Sequence, residues 1–202
     1  MLATAVFSGL RLMELLGLRW ADVDLERGEL HVRSQLSRKG ALVPLKTRSC
    51  RRDVVLMPEL AATLKRHRLA SRHSLPEDFV FCGAAGRPLH FRNVQRRGMD
   101  EAVERASLEA AKRYPTMHDL RHCFASLLIG QGLDVVFVSR QLGHANPATT
   151  LRVYASEFDN IRHGDSVRTV LSEQFGNLLE TATRNQAQDP APETAAVTAI
   201  RN

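Results

Sequence analysis

Aromatic residues, cysteines and long apolar runs are all scarce in this sequence of 202 residues. Aromatics make up only 5%, so a core must be built from aliphatic side chains, for which the 44% hydrophobic content suffices in one domain. The three cysteines, Cys50, Cys82 and Cys123, are far apart and lack metal-ligand spacing, which fits a reducing cytoplasm. No run approaches the roughly 18 apolar residues of a membrane span, and the N-terminus lacks the features of a secretory signal. We therefore expect a cytoplasmic protein with no membrane partner.

Lysine is also scarce, since only four of the 28 basic residues are lysine and the rest are arginine. The formal net charge is +6, and because residues 155–202 carry −3, residues 1–154 carry +9. Basic side chains displace the counterions that condense on nucleic acid, and the forked guanidinium suits phosphate oxygens. The charge therefore favours a polyanionic partner such as nucleic acid, although a genome that favours arginine codons would also enrich arginine.

The spacing of apolar residues predicts an α+β fold, mainly α, with one small three-stranded antiparallel sheet. It indicates a helix over residues 2–17, and alternation indicates the three strands within residues 29–57. Pro58 is placed to open a helix, residues 78–82 form a strand candidate, and Asp134 is placed to cap a helix. Further helices are predicted over residues 91–112, 114–132, 134–143, 147–155 and 165–182. Residues 183–202 lack periodicity and are rich in Pro, Ala and Thr, so we expect a disordered tail.

Arg11 and Lys46 are each ambiguous when considered singly. Arg11 lies at the polar edge of an apolar helix, where a guanidinium needs either a partner or a cleft. Glu14, three residues on, would supply an ordinary helix ion pair. Lys46 lies between two predicted strands, where a lysine is usually a solvated edge residue but can also reach into a groove and donate a proton.

The histidines and Tyr154 are equally ambiguous. His118 and Arg121 stand three residues apart on one predicted helix, either as a surface pair or as a shared anion site. His144 follows a glycine at a predicted helix end, and the histidines lack the acidic or thiol companions of a zinc set. Tyr154, one of only two tyrosines, would ordinarily be a half-buried packing residue. We expect neither a metal site nor a cofactor from these residues.

The order Arg, Lys, His-x-x-Arg, Leu-Gly-His, Tyr supplies what attack of a phenol on a phosphodiester requires. Two guanidiniums can hold the non-bridging oxygens, and positioning with electrostatic stabilisation does most of the work in phosphoryl transfer. A phenol with a pKa of about 10 needs a base, and the departing sugar oxygen needs an acid. No metal ion is required by this set.

Four segments together resemble the catalytic domain of the tyrosine recombinases, the phage-integrase family: SGLRLMELLGLRW, PLKTRSCRRDVVL, HDLRHCFASLL and QLGHANPATTLRVYA. The resemblance covers about residues 1–180, and it implies the family's helical catalytic domain over residues 1–182. It also implies an enzyme, a site-specific recombinase or integrase that cuts and rejoins DNA through a 3′-phosphotyrosine link. A type IB topoisomerase would share this chemistry, but the hairpin and Leu-Gly-His motifs fit recombinases better.

The resemblance assigns four residues to holding the phosphate. Arg11 and Arg121 look like the two arginines that clamp it, and His144 resembles the histidine that hydrogen-bonds it. Glu14 matches an acidic residue that orients the first arginine.

The other three assigned residues would move protons or make the covalent bond. Lys46 looks like the hairpin lysine that acts as general acid toward the 5′ oxygen, His118 resembles the general base, and Tyr154 the nucleophile.

The resemblance also implies partners and a place of action. The family works on double-stranded DNA at recombination sites, as a homo-tetramer joining two duplexes, with accessory DNA-bending proteins in some systems. Residues 165–182 are the candidate for docking on a neighbouring protomer, and the protein is expected at the nucleoid. The two helices around residues 130–132 imitate a helix-turn-helix, but in this family they belong to the catalytic scaffold.

The sequence departs from the family at its front, because only ten residues precede Arg11. Family members usually carry an N-terminal core-binding domain that closes with the catalytic domain around DNA. We expect that domain to be absent, and its loss should weaken DNA binding, since phosphate contacts dominate affinity. An alternative function is therefore a non-catalytic DNA-binding remnant of an integrase, although all the catalytic positions are filled.

Overall fold

The first apolar segment forms two short helices where its spacing predicts one. In a computed structural model, which describes residues 1–47, 50–108 and 114–159, helix α1 spans Leu2–Ser8 and helix α2 spans Leu12–Leu16. The break comes at Gly9, whose φ of 60° is left-handed and whose position leaves no room for a Cβ against the Phe124 ring. The prediction of one helix over residues 2–17 is wrong at this point. The break makes Arg11 the N-cap residue of α2, with its side chain at a helix end.

The sheet has three antiparallel strands, as predicted, but one of them is not the strand that alternation indicates. Its order is β1 (Val23–Asp24), β2 (Glu29–Val32) and β5 (Arg52–Val55). The middle predicted strand is β4 (Leu42–Pro44), which instead pairs with β3 (Ser34–Leu36) in a separate hairpin. Lys46 therefore follows β4 in the connection to β5. The tip of the β3–β4 hairpin is formed by residues that include Lys39 and Gly40.

A core of aliphatic side chains and Trp20 holds the sheet against the first helices. Leu15, Leu16, Leu30 and Val54 are fully buried there. Helix α3 spans Pro58–Ala70 with Pro58 at its first turn, as predicted. The predicted strand over residues 78–82 is wrong, because that segment forms only isolated bridges, one of them between Arg19 and Phe79.

Helices make up the rest of the described chain. The basic segment forms α4 (Phe91–Asn93), a π-helical turn (Val94–Gly98) and α5 (Met99–Arg105). Three more helices follow, α6 (Met117–Gly130), α7 (Val135–Leu142) and α8 (Pro147–Asp159). Thr116 caps α6, and Asp134 caps α7 by accepting hydrogen bonds from two main-chain N–H groups, which confirms the predicted cap.

The described residues lie within one compact unit, Met1–Asn160. The predicted docking segment over residues 165–182 and the predicted tail over residues 183–202 lie outside the described residues. Within residues 1–47, 50–108 and 114–159, no helix is both long enough and apolar enough to cross a membrane.

Candidate active site

Three arginines from distant parts of the chain meet at the C-terminal end of α7. They donate hydrogen bonds to three consecutive main-chain carbonyls: Arg52 Nε to Gln141 O (2.7 Å), Arg121 Nη2 to Leu142 O (2.5 Å) and Arg11 Nη2 to Gly143 O (3.2 Å). The last carbonyls of a helix lack intrahelical partners and carry the negative end of its dipole. This helix end therefore fixes the positions of three guanidiniums.

Gly143 allows the close approach. It ends α7 with a left-handed φ of 66°, and a Cβ there would lie 2.8 Å from Arg52 Nη1. Any other residue would strain the backbone and push the guanidinium away.

Glu14 forms ion pairs with two of these arginines, Arg11 and Arg52. Its carboxylate is only 1% exposed and receives hydrogen bonds from the Arg11 main chain (2.9 Å), Arg11 Nη1 (2.8 Å), Arg52 Nη2 (2.9 Å) and Arg52 Nη1 (3.2 Å). Burial opposes its ionisation, but the hydrogen bond and charge of Arg52, followed by the charge of Arg11, hold the pKa of Glu14 below its usual value. The ordinary ion pair between Arg11 and Glu14 thus exists, and it is part of the site.

Arg121 lies at the centre of the network and is 3% exposed. It donates hydrogen bonds to the main-chain oxygens of Gly9 and Leu142. The break between α1 and α2 therefore supplies one of the acceptors that hold this side chain. Its Nη2 also lies 3.2 Å from His144 Nε2. Burial, followed by the charges of Arg11 and Arg52, lowers the pKa of Arg121 to about 9, so the guanidinium remains charged at neutral pH.

The contacts of His144 define its protonation. A guanidinium can only donate, so Nε2 of His144 accepts from Arg121, and the ring proton lies on Nδ1. That nitrogen is 2.7 Å from Thr150 Oγ1, which accepts the proton's hydrogen bond. Burial, together with the charges of Arg121, Arg11 and Arg52, lowers the pKa of His144 to about 4. His144 is therefore a neutral ring with a fixed tautomer.

Tyr154 lies on α8, where the backbone departs from helical angles (φ −121°, ψ 24°), and is 4% exposed. Its hydroxyl oxygen is 2.7 Å from His122 Nδ1, and the charge of Arg121 interacts with it. His122 packs edge-on against His118, with ring centroids 4.6 Å apart. His118 is exposed, and burial, followed by the charges of His122 and Arg121, lowers its pKa.

Lys46 is exposed in a cleft that Arg33, Arg51 and Asp53 also line. A second cleft, lined by His144 and the adjoining turn, shares Arg51 and Asp53 with the first. Lys46 therefore lies in the space next to the site rather than in its hydrogen-bonded network. The structure thus joins four of the predicted residues in one network, brings two more close to it through His122 and Arg121, and leaves Lys46 beside it.

Three residues of the site escape sequence reasoning: Arg52, His122 and Thr150. Arg52 carried a signal, because it alternates with Val54 on the inward face of β5. His122 also carried one, since it lies four residues after His118 on the same helix. Nothing in the sequence singles out Thr150. Among the described residues, no group of three or more His, Cys, Asp or Glu side chains is placed to hold a metal ion.

Comparison with known proteins assigns this architecture to a family. The model of the phage integrase family matches residues 1–160. Prophage integrase IntR of Escherichia coli K12 is 30% identical over 178 residues, covering 78% of this chain and 42% of that protein. Tyrosine recombinase XerC of Mesorhizobium japonicum is 36% identical over 146 residues, covering 71% of this chain and 41% of that protein. The chain thus spans about two fifths of the length of these relatives.

Solved structures share the fold. The Tn1549 transposon integrase in complex with circular intermediate DNA superposes with a TM-score of 0.65 at 24% identity, covering 75% of this chain and 53% of that one. XerA recombinase superposes with a TM-score of 0.59 at 22% identity, covering 84% of this chain and 55% of that one. At these identities the likeness is one of fold, and it agrees with the predicted helical catalytic domain with its small sheet.

Proposed function

This chain belongs to the phage integrase family, the tyrosine recombinases, and from that premise we propose that it is a site-specific recombinase. It cuts one strand of double-stranded DNA at a recombination site, holds the 3′ end on Tyr154 and rejoins it to a new partner. One observation carries the proposal: Arg11, Arg121 and His144 meet at the end of α7, and the charge of Arg121 interacts with Tyr154.

The arginines suit a pentacovalent phosphate because their orientation is fixed in advance. Arg11 and Arg121 are tied to main-chain carbonyls and, for Arg11, to Glu14, so little reorganisation is needed when the phosphate arrives. Their charges would be shared by the non-bridging oxygens, whose negative charge grows during attack. An anion beside His144 would also raise the pKa of that ring, which would enable it to donate a hydrogen bond to the phosphate.

The covalent step exchanges one phosphate ester for another. The bond from Tyr154 Oη to phosphorus forms, and the bond from phosphorus to O5′ of the next nucleotide breaks. The Tyr154 proton passes to a base on α6, where the resemblance names His118. Lys46, reaching from the neighbouring cleft, gives a proton to O5′. Because the phosphotyrosine retains the energy of the ester, attack by another 5′ hydroxyl reverses the step and seals the strand.

Activity of the whole protein rests on more than the described residues. We assign the catalytic domain to residues 1–182 and a tail to residues 183–202. As the resemblance implies, we also propose assembly as a tetramer on two duplexes, help from DNA-bending proteins and action at the nucleoid. The basic first 154 residues support DNA as the partner.

Covalent trapping tests the proposal. Nicked duplexes covering the DNA that flanks the coding sequence are incubated with the wild type and Tyr154→Phe, then separated on a denaturing gel. A slow protein–DNA band with the wild type alone is the expected result. The assay is repeated after fusion to the N-terminal part of the E. coli relative, because weak binding would otherwise hide chemistry. No band in either form would overturn the proposal in favour of a non-catalytic remnant.

A further inference from the structure

The hydroxyl of Tyr154 is in contact with a histidine to which the resemblance gives no role. His122 Nδ1 lies 2.7 Å from Tyr154 Oη, and the tyrosine is 4% exposed. Most of the tyrosine is therefore shielded from bulk water, and its hydroxyl already contacts a protein group that can take the proton. A base must lie within about 2.6–3.2 Å of the proton it takes, and His122 meets this condition.

We propose that His122 is a further catalytic residue, the base that takes the Tyr154 proton. This inference rests on the proposed function, and it names the residue that activates the nucleophile. The proton moves from Tyr154 Oη to His122 Nδ1 while the Oη–phosphorus bond forms and the phosphorus–O5′ bond breaks. When the strand is resealed, the His122 imidazolium returns the proton to Oη.

The surroundings of the pair favour this transfer. Among the described residues, the titratable and charged groups that act on the pair include His118 and Arg121, both from α6. Arg121 interacts electrostatically with Tyr154, and its charge favours the phenolate that the transfer creates. His118 packs edge-on against His122 at 4.6 Å, and its lowered pKa keeps it uncharged, so it limits the orientation of the His122 ring without opposing its protonation.

The inference also fixes a tautomer, which can be measured without DNA. If Nδ1 accepts from the tyrosine, the proton of the neutral His122 ring lies on Nε2. Long-range nitrogen–proton NMR of the full chain should show the Nε2–H form for His122 in the wild type, and a more mixed population in Tyr154→Phe. A His122 ring that carries its proton on Nδ1 at neutral pH would overturn the inference.

The catalytic test compares histidine variants in single-turnover cleavage of the trapping substrate. His122→Asn places an amide oxygen where Nδ1 was, so it keeps an acceptor but cannot take the proton. We expect it to cleave about 10²–10⁴-fold more slowly, the usual contribution of a general base. The matched control is His90→Asn, because His90 is exposed and caps α4, a task that asparagine performs well.

The pH profile separates a base from a residue that only positions the tyrosine. With the wild type, the rate should rise with pH as the base loses its proton and then level off. With His122→Asn it should keep rising toward the phenol pKa of about 10, whereas His118→Asn should keep the wild-type shape. Imidazole in the buffer should restore part of the activity of His122→Ala and none of Tyr154→Phe.

The outcomes separate this inference from the proposed function. If the wild type forms the covalent complex and His122→Asn cleaves at the same rate with the same profile, the inference is wrong and the proposed function stands. The inference is also wrong, and the proposed function stands, if His118→Asn is the variant whose cleavage rate no longer levels off with rising pH. If the wild type never forms the complex, both are wrong. Melting temperatures near the wild type's would show that the variants are folded.

Discussion

Glu14 and Arg52 form an ion pair in the interior, with two hydrogen bonds of 2.9 and 3.2 Å and side chains that are 1% and 5% exposed. Arg52 also donates to Gln141 at the end of α7. The pair thus links α2, β5 and α7. Its geometry makes it a positioning device for Arg11, whose own partner is the same carboxylate.

We predict that Arg52→Leu destabilises the protein by about 3–5 kcal/mol, because it leaves the Glu14 carboxylate buried with one partner fewer. Urea unfolding of the wild type and the variant measures the loss. Arg51→Leu is the matched control, since it removes the same charge from an exposed neighbour and should change stability by less than about 0.5 kcal/mol. Equal effects of the two substitutions would contradict the structural role of the pair.

Thr150 is fully buried and accepts the hydrogen bond from His144 Nδ1. We predict that Thr150→Val, which keeps the shape of the side chain, slows DNA cleavage by about tenfold or more, because the buried Nδ1–H then lacks its acceptor. That loss costs about 1–3 kcal/mol and also frees the ring to change tautomer or rotate. The rate of covalent trapping measures the slowing of cleavage. Thr149→Val on the same turn is the control and should cleave like the wild type. If both variants cleave at the wild-type rate, the tautomer of His144 has no catalytic importance.

The lowered pKa of His144 predicts a pH dependence of stability. The unfolded ring takes up a proton near its ordinary pKa of 6.5, whereas the folded ring does so only near 4. The unfolded state therefore binds more protons between these values, and the free energy of unfolding falls as the pH is lowered from about 6.5 to 4. His118, whose pKa is also lowered, adds to the fall.

Urea unfolding at several pH values measures this dependence. His144→Gln should flatten the fall between pH 6.5 and 4, while His90→Gln should leave it unchanged. Glu14 contributes separately at lower pH, because its pKa is held below its ordinary value of 4.5. A slope that is the same in His144→Gln and the wild type would contradict the burial of this ring.

The parts of the fold that the sequence predicts well depend on local signals. Pro58 and Asp134 mark helix starts by their own chemistry, and both helices begin there. The pairing of β4 was missed because alternation identifies a strand but not its neighbour. The break at Gly9 was missed for a similar reason, since it depends on Phe124, more than a hundred residues away.

The candidate site, like the fold, has features that the sequence predicts and features that it does not. The residues proposed to carry the chemistry have recognisable types at recognisable spacings, so they could be listed without the structure. How deeply each of them is buried could not be predicted. Arg121, for example, donates hydrogen bonds to the main-chain oxygens of Gly9 and Leu142, which lie outside its own helix. The hydrogen bonds of His122 to Tyr154 and of Thr150 to His144 each join residues of different elements or of a turn, and a single contact of this kind leaves no repeat in a sequence.

The proposed role of Lys46 as general acid can be tested by changing the leaving atom of the DNA, because only an oxygen leaving group needs a proton. We predict that Lys46→Ala cleaves ordinary DNA about 10²–10⁴-fold more slowly, since O5′ must then depart without a general acid. Replacing O5′ by sulfur gives a leaving group that needs no acid, because a thiol has a pKa of about 8.5. On that substrate the deficit of the variant should shrink to a few-fold.

Lys39→Ala is the matched control, because Lys39 is exposed in the β3–β4 turn and should affect neither substrate. The comparison also decides between two uses of the cleft that Lys46 shares with Arg33 and Arg51. If Lys46 merely attracted the phosphate, its loss would slow both substrates equally, because sulfur leaves the charge on the non-bridging oxygens unchanged. Rescue by sulfur in Lys46→Ala alone therefore requires that the lysine proton ends on the departing oxygen.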